Sequence, residues 1–225
     1  MSVVLRRVVP LAIGVLLSVE HAGAAEVAPL TSLRPVARTE VSLTARWDHR
    51  PGSPAWTRAA LRALRGHARA LPQLTPRDIA DWCPAYPTGT IQQREAFWIG
   101  PISALAKHES TWRPTAVGGG GLWYGLLQIL PDTARRYNCR ARSGEALKNP
   151  VDNLSCGLRI MAVTVPRDGV VSRDMRGVAA DWGPFHSRTK REDMMRWTRS
   201  QSYCTALGRS LRPVARRDLQ GPVRP

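Results

Sequence analysis

The stretches Lys107-His108-Glu109-Ser110 and Gly125-Leu126-Leu127-Gln128-Ile129 decide the fold of this 225-residue chain. Glu109 stands at the end of a helical pattern, and the glycine run from 118 to 121 separates the two stretches. Glycines adopt positive φ and allow close backbone approach, so they predict a turn that returns Gln128 toward the carboxyl group. An acid that faces an amide across a cleft is suited to protonating a glycosidic oxygen.

The helix before Glu109 carries an apolar stripe. Three large apolar residues lie eleven, seven and four positions upstream of Glu109, namely Trp98, Ile102 and Leu105. At about 100° per residue these positions share one helix face with Glu109. Burial there raises the pKa of a carboxyl group, which lets it act as a general acid near neutral pH. The alternative is a surface Glu109 paired with Lys107 or Arg113.

A wider set of residues carries a family resemblance. It comprises Lys107 to Ser110, Gly125 to Pro131, Thr133-Ala134, Asn149 to Asn153, and Gly157. Over roughly residues 91–185 the chain resembles the soluble lytic transglycosylase domain, a lysozyme-like helical fold with an active-site cleft that cleaves peptidoglycan. The resemblance implies that Glu109 is the catalytic acid. It also implies that substrate contacts come from the residues Ser110, Tyr124, Gly125, Gln128 and Trp182.

The mechanism implied by the resemblance needs one carboxyl group. Glu109 would protonate the leaving oxygen of the MurNAc-GlcNAc β-1,4 bond and then accept the proton of the muramyl 6-hydroxyl. The product would carry a 1,6-anhydro-MurNAc end, with no water consumed. Glycosidases with two carboxylates hold them about 5 to 9 Å apart.

The chain departs from the family downstream, where Ala179-Ala180-Asp181-Trp182-Gly183 replaces the usual alanine-tyrosine-asparagine-alanine-glycine. Trp182 would supply an aromatic platform for a sugar ring, or else pack in the core. Asp181 offers a second carboxylate that would favour a lysozyme-type hydrolase. A weakly catalytic peptidoglycan-binding module is the remaining alternative.

The first 25 residues read as a secretory signal peptide. Arg6-Arg7 precede an apolar stretch from Val8 to Val19, and Ala22 to Ala25 supply small residues for cleavage. The stretch is shorter than the roughly 20 apolar residues of a membrane-spanning helix. We therefore expect an exported, periplasmic or secreted, monomeric protein.

Charge and composition describe the rest of the chain. The formal net charge is +16, which favours polyanionic partners, and export makes peptidoglycan strands a better candidate than nucleic acid. Residues 26–52 and 210–225 read as flexible tails, and each contains the sequence Ser-Leu-Arg-Pro-Val-Ala-Arg, at 32–38 and 210–216. The basic tails would contact an anionic wall or membrane surface.

The four cysteines point to disulfides. An even count in an exported chain, without CxxC or paired histidines, favours two bridges over a metal site. Three connectivities are open, and we favour Cys139 with Cys156 and Cys83 with Cys204. We expect no metal and no cofactor.

The remaining patterns predict one helical domain over residues 53–209, all-α or nearly so. Helices are expected from Ser53, from Thr75, over 91–107, from Pro131, over 153–163, over 175–182 and over 192–207. Gly100-Pro101 is expected to kink or restart the third of these. Asp132 and Asp152-Asn153 are read as helix caps.

Overall fold

The structure is a computed structural model that describes residues 43–205. The predicted signal peptide, residues 26–42 of the predicted leader, the predicted tail and both copies of the repeated heptapeptide lie outside the described residues. The described part is mostly helical, which confirms the predicted class. The helices are α1 (Ser53–Arg65), α2 (Ala70–Gln73), α3 (Ile79–Trp82), α4 (Ile91–Ser110), α5 (Pro131–Arg136), α6 (Gly144–Leu147), α7 (Pro150–Asp168) and α8 (Arg188–Arg199).

The long helix α4 runs through the centre of the core. It starts with a capping box, in which Thr90 Oγ1 accepts from the Gln93 N–H and the Gln93 side chain accepts from the Thr90 N–H. Trp98, Ile102 and Leu105 are fully buried, as the apolar stripe predicts. Helix α4 packs against α8, α2 and α1, so the residue that ends it is held on several sides.

The helix does not restart at Gly100-Pro101, because α4 is continuous from Ile91 to Ser110. Both residues are buried. A side chain at position 100 would meet Thr198 and the hydroxyl of Tyr203, at 3.1 and 2.7 Å from its Cβ. Glycine is thus required for close packing of α4, and that packing offsets the hydrogen bond that proline cannot donate.

The packed part of the chain begins before the predicted boundary at residue 53. Ala45 and Trp47 are buried, and Trp47 makes an edge-to-face contact with Trp56 of α1. The Arg46 N–H donates to Ser103 Oγ of α4 at 2.9 Å. Residues 45–52 therefore belong structurally to the domain, although their sequence shows no helical or strand periodicity.

A small hairpin follows α4. Strand β1 (Val117–Gly118) pairs antiparallel with β2 (Trp123–Tyr124), and Tyr124 also bridges to Ile129. The glycine run forms the turn of this hairpin. Gly119, Gly120 and Gly121 all have positive φ, which L side chains rarely adopt.

Both predicted disulfides are confirmed. Cys83 is bonded to Cys204 and joins residues 121 positions apart, while Cys139 is bonded to Cys156 across 17 positions. The first bridge links the segment after α3 to the segment after α8. The second fastens the chain after α5 to α7.

Beyond α7 the structure differs from the helix predicted over 175–182. Residues 173–185 form three short 3-10 turns, Arg173–Met175, Gly177–Ala180 and Gly183–Phe185. Positive φ at Asp174, Met175 and Gly177 prevents a regular helix there. The last helix, α8, begins earlier than expected, with Ser187 as its cap. No helix within residues 43–205 has the length and apolar character needed to cross a membrane.

Candidate active site

Glu109 lies in the last turn of α4 with its carboxyl group partly buried. Burial raises its pKa to about 7, and the positive charge of Lys190 on α8 opposes that rise. Desolvation favours the neutral form of a carboxyl group. Glu109 can therefore hold a proton near neutral pH and release it again, as an acid that later acts as a base must do.

The surface pairing considered for Glu109 does not form. Lys107 Nζ is bound instead to Asp193 at 3.3 Å, and Arg113 Nε donates to the Ser110 carbonyl at 3.2 Å. Within residues 43–205 no side chain makes a hydrogen bond or ion pair with the Glu109 carboxyl group. Its environment thus leaves it free to meet a ligand.

The backbone after Glu109 is held in an unusual conformation. Thr111 and Trp112 both have positive φ, at 52° and 55°, which is uncommon for residues other than glycine and strained for a β-branched residue. The Trp112 N–H donates to Ala106 O at 3.2 Å, and its indole Nε1 donates to Ser103 O at 2.9 Å. These bonds end the helix and fix its last turn.

Ser110 connects the end of α4 to the second stretch of the site. Its hydroxyl is buried and lies 2.9 Å from Leu126 O and 3.1 Å from Ala106 O. Ser110 therefore positions the turn at 125–129 relative to Glu109. Its burial does not leave the hydroxyl available for direct contact with a ligand.

Gly125 allows that turn to form. Its φ is +80°, and a Cβ there would overlap the Leu147 carbonyl and the Asn153 amide. Asn153 is fully buried, and its side chain accepts from Leu127 N–H at 3.0 Å and donates to Tyr124 O and Leu147 O. One amide side chain thus supports the whole turn.

This role of Asn153 differs from the helix cap that its sequence position predicts. Asn153 was read with Asp152 as a helix cap, but the N-cap of α7 is Asn149, whose side chain accepts from Val151 N–H and Asp152 N–H. Asp132 is not a cap either, because it pairs with Arg135 at the surface. The signal for Asn153 was its place on the buried face of α7, four residues after the cap.

Gln128 lies on the turn that follows the hairpin, and its side chain is bonded to that turn and to the residue before strand β1. Its φ is +48°, and its Nε2 donates to Gly125 O at 2.9 Å and to Ala116 O at 3.2 Å. The carbonyl oxygen Oε1 accepts no hydrogen bond within the described residues and lies against Gly118. Gln128 therefore offers an acceptor to a ligand while its donor group holds the loop.

Tyr124 is partly buried in strand β2. Its hydroxyl donates to Gly121 O at 2.6 Å, and its ring lies so close to Gly144 that any side chain at 144 would overlap it. The ring thus braces the hairpin against α6.

Comparison with known proteins identifies the segment that contains these residues. Residues 88–169 match the family model described as Transglycosylase SLT domain. This segment is an SLT domain. The comparison with curated proteins found no match.

Solved structures extend the similarity beyond the SLT domain. Bd0314 DslA, as the wild type in form 2 and as a glutamate-to-glutamine mutant, has a TM-score of 0.65 and 26% sequence identity to this chain. The alignments cover 72% of this chain and 97% or 98% of the DslA chains.

The two residues predicted from the third motif lie beyond the matched SLT segment, and the structure separates their roles. Trp182 is 4% exposed, and its Nε1 donates to Leu127 O at 2.9 Å. Its packing against Leu127 and Gly157 makes it a core residue that supports the turn. Of the two roles expected for Trp182, packing in the core is confirmed, and the aromatic platform for a sugar ring is wrong.

Asp181 is exposed and belongs to a different group of charges from Glu109. Partial desolvation raises the pKa of Asp181, while Arg136 and Arg167 lower it. Among the described residues, the charge that acts on Glu109 is Lys190. Within the described residues, neither of these two carboxyl groups shifts the pKa of the other.

Asp193 of α8 secures the helix end that carries Glu109. Its carboxylate accepts a bidentate pair from Arg46 at 2.7 and 2.9 Å, and it lies 2.8 Å from His108 Nε2 and 3.3 Å from Lys107 Nζ. We call these four residues the Asp193 cluster. They join the N-terminal segment, α4 and α8 directly beside the acid.

The described surface also has two adjoining cavities between α3, α8 and residues 172–175, lined in part by Asp81 and Met195. Neither includes Glu109.

Proposed function

We propose that this protein is a peptidoglycan lytic transglycosylase with Glu109 as its single general acid and base. The observation that carries the proposal is the isolated, partly buried carboxyl group at the end of α4, with a pKa raised to about 7. The SLT domain match supports peptidoglycan as the substrate.

The reaction follows from the protonation state of Glu109. The protonated carboxyl group donates to the glycosidic oxygen between MurNAc and GlcNAc, and the C1–O bond breaks. The resulting carboxylate takes the proton of the muramyl 6-hydroxyl, whose oxygen bonds to C1. Glu109 is then protonated again, and the product has a 1,6-anhydro end.

The environment of Glu109 favours this lyase over a two-carboxylate hydrolase. A hydrolase of that type holds its carboxyl groups within about 5 to 9 Å of each other. In the described residues the neighbouring charge is Lys190, and Asp181 stands among Arg136 and Arg167. Lys190 would stabilise the carboxylate formed after the first step, which assists the return of the proton.

The proposal includes export and attraction to the wall. The apolar stretch at the N-terminus fits a cleaved signal peptide and a periplasmic or secreted protein, acting as a monomer. A net charge of +16 favours association with an anionic wall, and the basic tails would add to it.

Digestion of purified peptidoglycan sacculi tests the proposal. Wild-type protein should release soluble muropeptides, and Glu109→Gln should lower the rate at least about a hundredfold, because amide cannot donate or accept the proton. Glu145→Gln is the matched control, since Glu145 is an exposed residue of α6 paired with Lys148. Equal release by Glu109→Gln and wild type would reject the catalytic role, and no release by either would favour a binding module.

A further inference from the structure

The hairpin beside the acid exposes a group of apolar side chains. Val117, Leu122 and Trp123 are 49%, 53% and 44% exposed. They are three of the seven large hydrophobic residues exposed within residues 43–205, so exposed apolar surface is concentrated on this hairpin. Such concentrations mark binding surfaces.

One face of the Trp123 ring lies against Gly119 in the turn of the hairpin. A Cβ on Gly119 would overlap Cε3 and Cζ3 of the indole and come within 3.0 Å of Cδ2. The benzene half of the ring therefore lies directly on the backbone of Gly119. Only glycine at this position allows the contact, and its φ of +56° also favours glycine. One ring face is thus covered, while the side chain keeps nearly half of its surface open.

The exposed indole lies beside the free acceptor of Gln128. A Cβ on Gly118 would overlap Gln128 Oε1 and lie 3.9 Å from Trp123 Cε3. The aromatic surface and the free oxygen therefore meet at the same glycine. The turn that bears Gln128 is bonded through Leu126 O to Ser110, the neighbour of Glu109.

We propose that Trp123 is a stacking platform for a sugar ring of the glycan strand, next to the bond that Glu109 cleaves. This inference rests on the proposed function and adds a binding residue to it. A pyranose ring presents C–H groups on its face, and these carry partial positive charge toward the negative face of an indole. Gln128 Oε1 would accept from an N-acetyl N–H of the strand.

The exposed Trp123 ring and the neighbouring Gln128 Oε1 suit a glycan better than a lipid surface. A sugar ring needs one flat aromatic face with a polar group at its edge, and Trp123 with Gln128 supplies both. A lipid surface needs a broader apolar area and no adjacent acceptor. The chain therefore favours a glycan ring as the occupant.

Binding to purified sacculi tests this proposal in a Glu109→Gln background, where the substrate is not consumed. Sedimentation is measured at high ionic strength, so that the net positive charge of the protein does not dominate binding. We expect Trp123→Ala to raise the dissociation constant about tenfold. Trp123→Phe should recover most of the affinity, because it keeps an aromatic face.

Val163→Ala serves as the matched control, since Val163 is 50% exposed on α7 and plays no part in the site. Equal binding by the Trp123→Ala and Val163→Ala proteins would overturn the proposal. So would undetectable binding of the Glu109→Gln parent to sacculi. A loss caused by Trp123→Ala that appears on phosphatidylglycerol vesicles and not on sacculi would assign the hairpin to a membrane surface.

Binding of the Trp123→Ala protein to sacculi and release of muropeptides by the wild-type protein test the two proposals separately. If wild-type protein releases no muropeptides but Trp123→Ala weakens binding as expected, the platform stands and the lyase proposal fails. If wild type releases muropeptides and Trp123→Ala leaves both binding and kcat/KM unchanged, the lyase proposal stands and the platform fails.

Discussion

At the scale of single residues, the chemistry depends on how the fold treats one carboxyl group. Trp98, Ile102 and Leu105 bury the face of α4 that leads to Glu109, while Lys107 and Arg113 bind other partners. Burial without compensation raises the pKa of Glu109 to about 7. Burial of the carboxyl group lets Glu109 act as a proton donor, and it also lowers the stability of the folded protein when Glu109 is ionised.

The pH dependence of activity follows from this pKa. The first step needs protonated Glu109, so kcat/KM should fall as pH rises above about 7, tenfold for each further pH unit. Initial rates on sacculi fragments measured from pH 5 to pH 9, at constant ionic strength, check the prediction. A rate that is level up to pH 9 would contradict a proton donor with this pKa.

The stability of the Glu109→Gln variant should depend on pH in a defined direction. The pKa of Glu109 rises from 4.5 to about 7 on folding, so the unfolded chain loses its proton first as pH rises. The free energy of unfolding of the wild-type protein should therefore fall between about pH 4.5 and 7, whereas that of the Glu109→Gln variant should not fall for this reason. The variant's advantage in free energy of unfolding should grow by up to about 3 kcal/mol across that window.

Urea denaturation of both proteins at pH 4 and pH 8 measures the change. Glu145→Gln is the control and should show no such growth, since Glu145 is exposed. An advantage that is the same at both pH values would mean that Glu109 titrates normally in the folded protein.

At the scale of elements, α4 is held at its C-terminal end by neighbours from distant parts of the chain. Asp193 of α8 binds Arg46, Lys107 and His108. These ion pairs hold the pKa of Asp193 well below its usual range. Burial lowers the pKa of His108, although Asp193 opposes that change. The cluster therefore couples the position of Glu109 to the N-terminal segment and to α8.

Removing the carboxylate of the Asp193 cluster should destabilise the protein and displace Glu109. Asp193→Asn should lower the free energy of unfolding at pH 7 by about 2 kcal/mol, because the pairs are only partly exposed. It should also lower kcat on the order of tenfold with little change in KM, since the acid is displaced and the hairpin is not. The stability difference should shrink as pH falls below about 4, because the unfolded chain then takes up the Asp193 proton while the folded protein, whose Asp193 pKa is held low, still does not.

Arg188→Met is the matched control, because it removes an exposed ion pair with Glu192 on the same helix. It should change stability by less than about 0.5 kcal/mol. An Asp193→Asn protein that keeps wild-type kcat would show that the cluster has no role in positioning Glu109.

The elements also show what sequence could predict. Helical periodicity placed Glu109 on a buried face, and the glycine pattern placed Gln128 on its turn, because both are local signals. The sequence could not decide between the two roles of Trp182 or show the role of Asn153, because their partners, Leu127 and Leu147, are brought to them only by packing. Arg46 and Trp47 were assigned to a tail because a segment without periodicity gives no local sign of long-range contacts.

At the scale of the whole molecule, two disulfides close loops of very different length. Cys83–Cys204 spans most of the described domain, whereas Cys139–Cys156 fastens a segment next to the site. The even cysteine count predicts two bridges; Cys83–Cys204 is favoured because it ties the first part of the domain to its last, and Cys139–Cys156 because it fastens the segment just after the predicted site. Each bridge limits the conformational freedom of the unfolded chain, and the effect grows with the logarithm of the length of the loop it closes.

Removal of the two disulfides should therefore lower the free energy of unfolding by different amounts. Replacing Cys83 and Cys204 with serine should lower the free energy of unfolding by about 4 to 5 kcal/mol, and replacing Cys139 and Cys156 by about 3 kcal/mol. Denaturant unfolding of the two double variants checks the order. A greater loss from the shorter loop would mean that local packing near the site, rather than loop length, dominates.

Whether water enters the product decides whether Glu109 acts in a lytic transglycosylase or in a hydrolase. Sacculi are digested by wild-type protein in water enriched with heavy oxygen, and the masses of the muramyl ends are determined. We expect anhydro ends, lighter by one water than reducing ends, with no heavy oxygen, because the 6-hydroxyl of the substrate closes the ring. Reducing ends that contain heavy oxygen would contradict it and would identify the protein as a hydrolase.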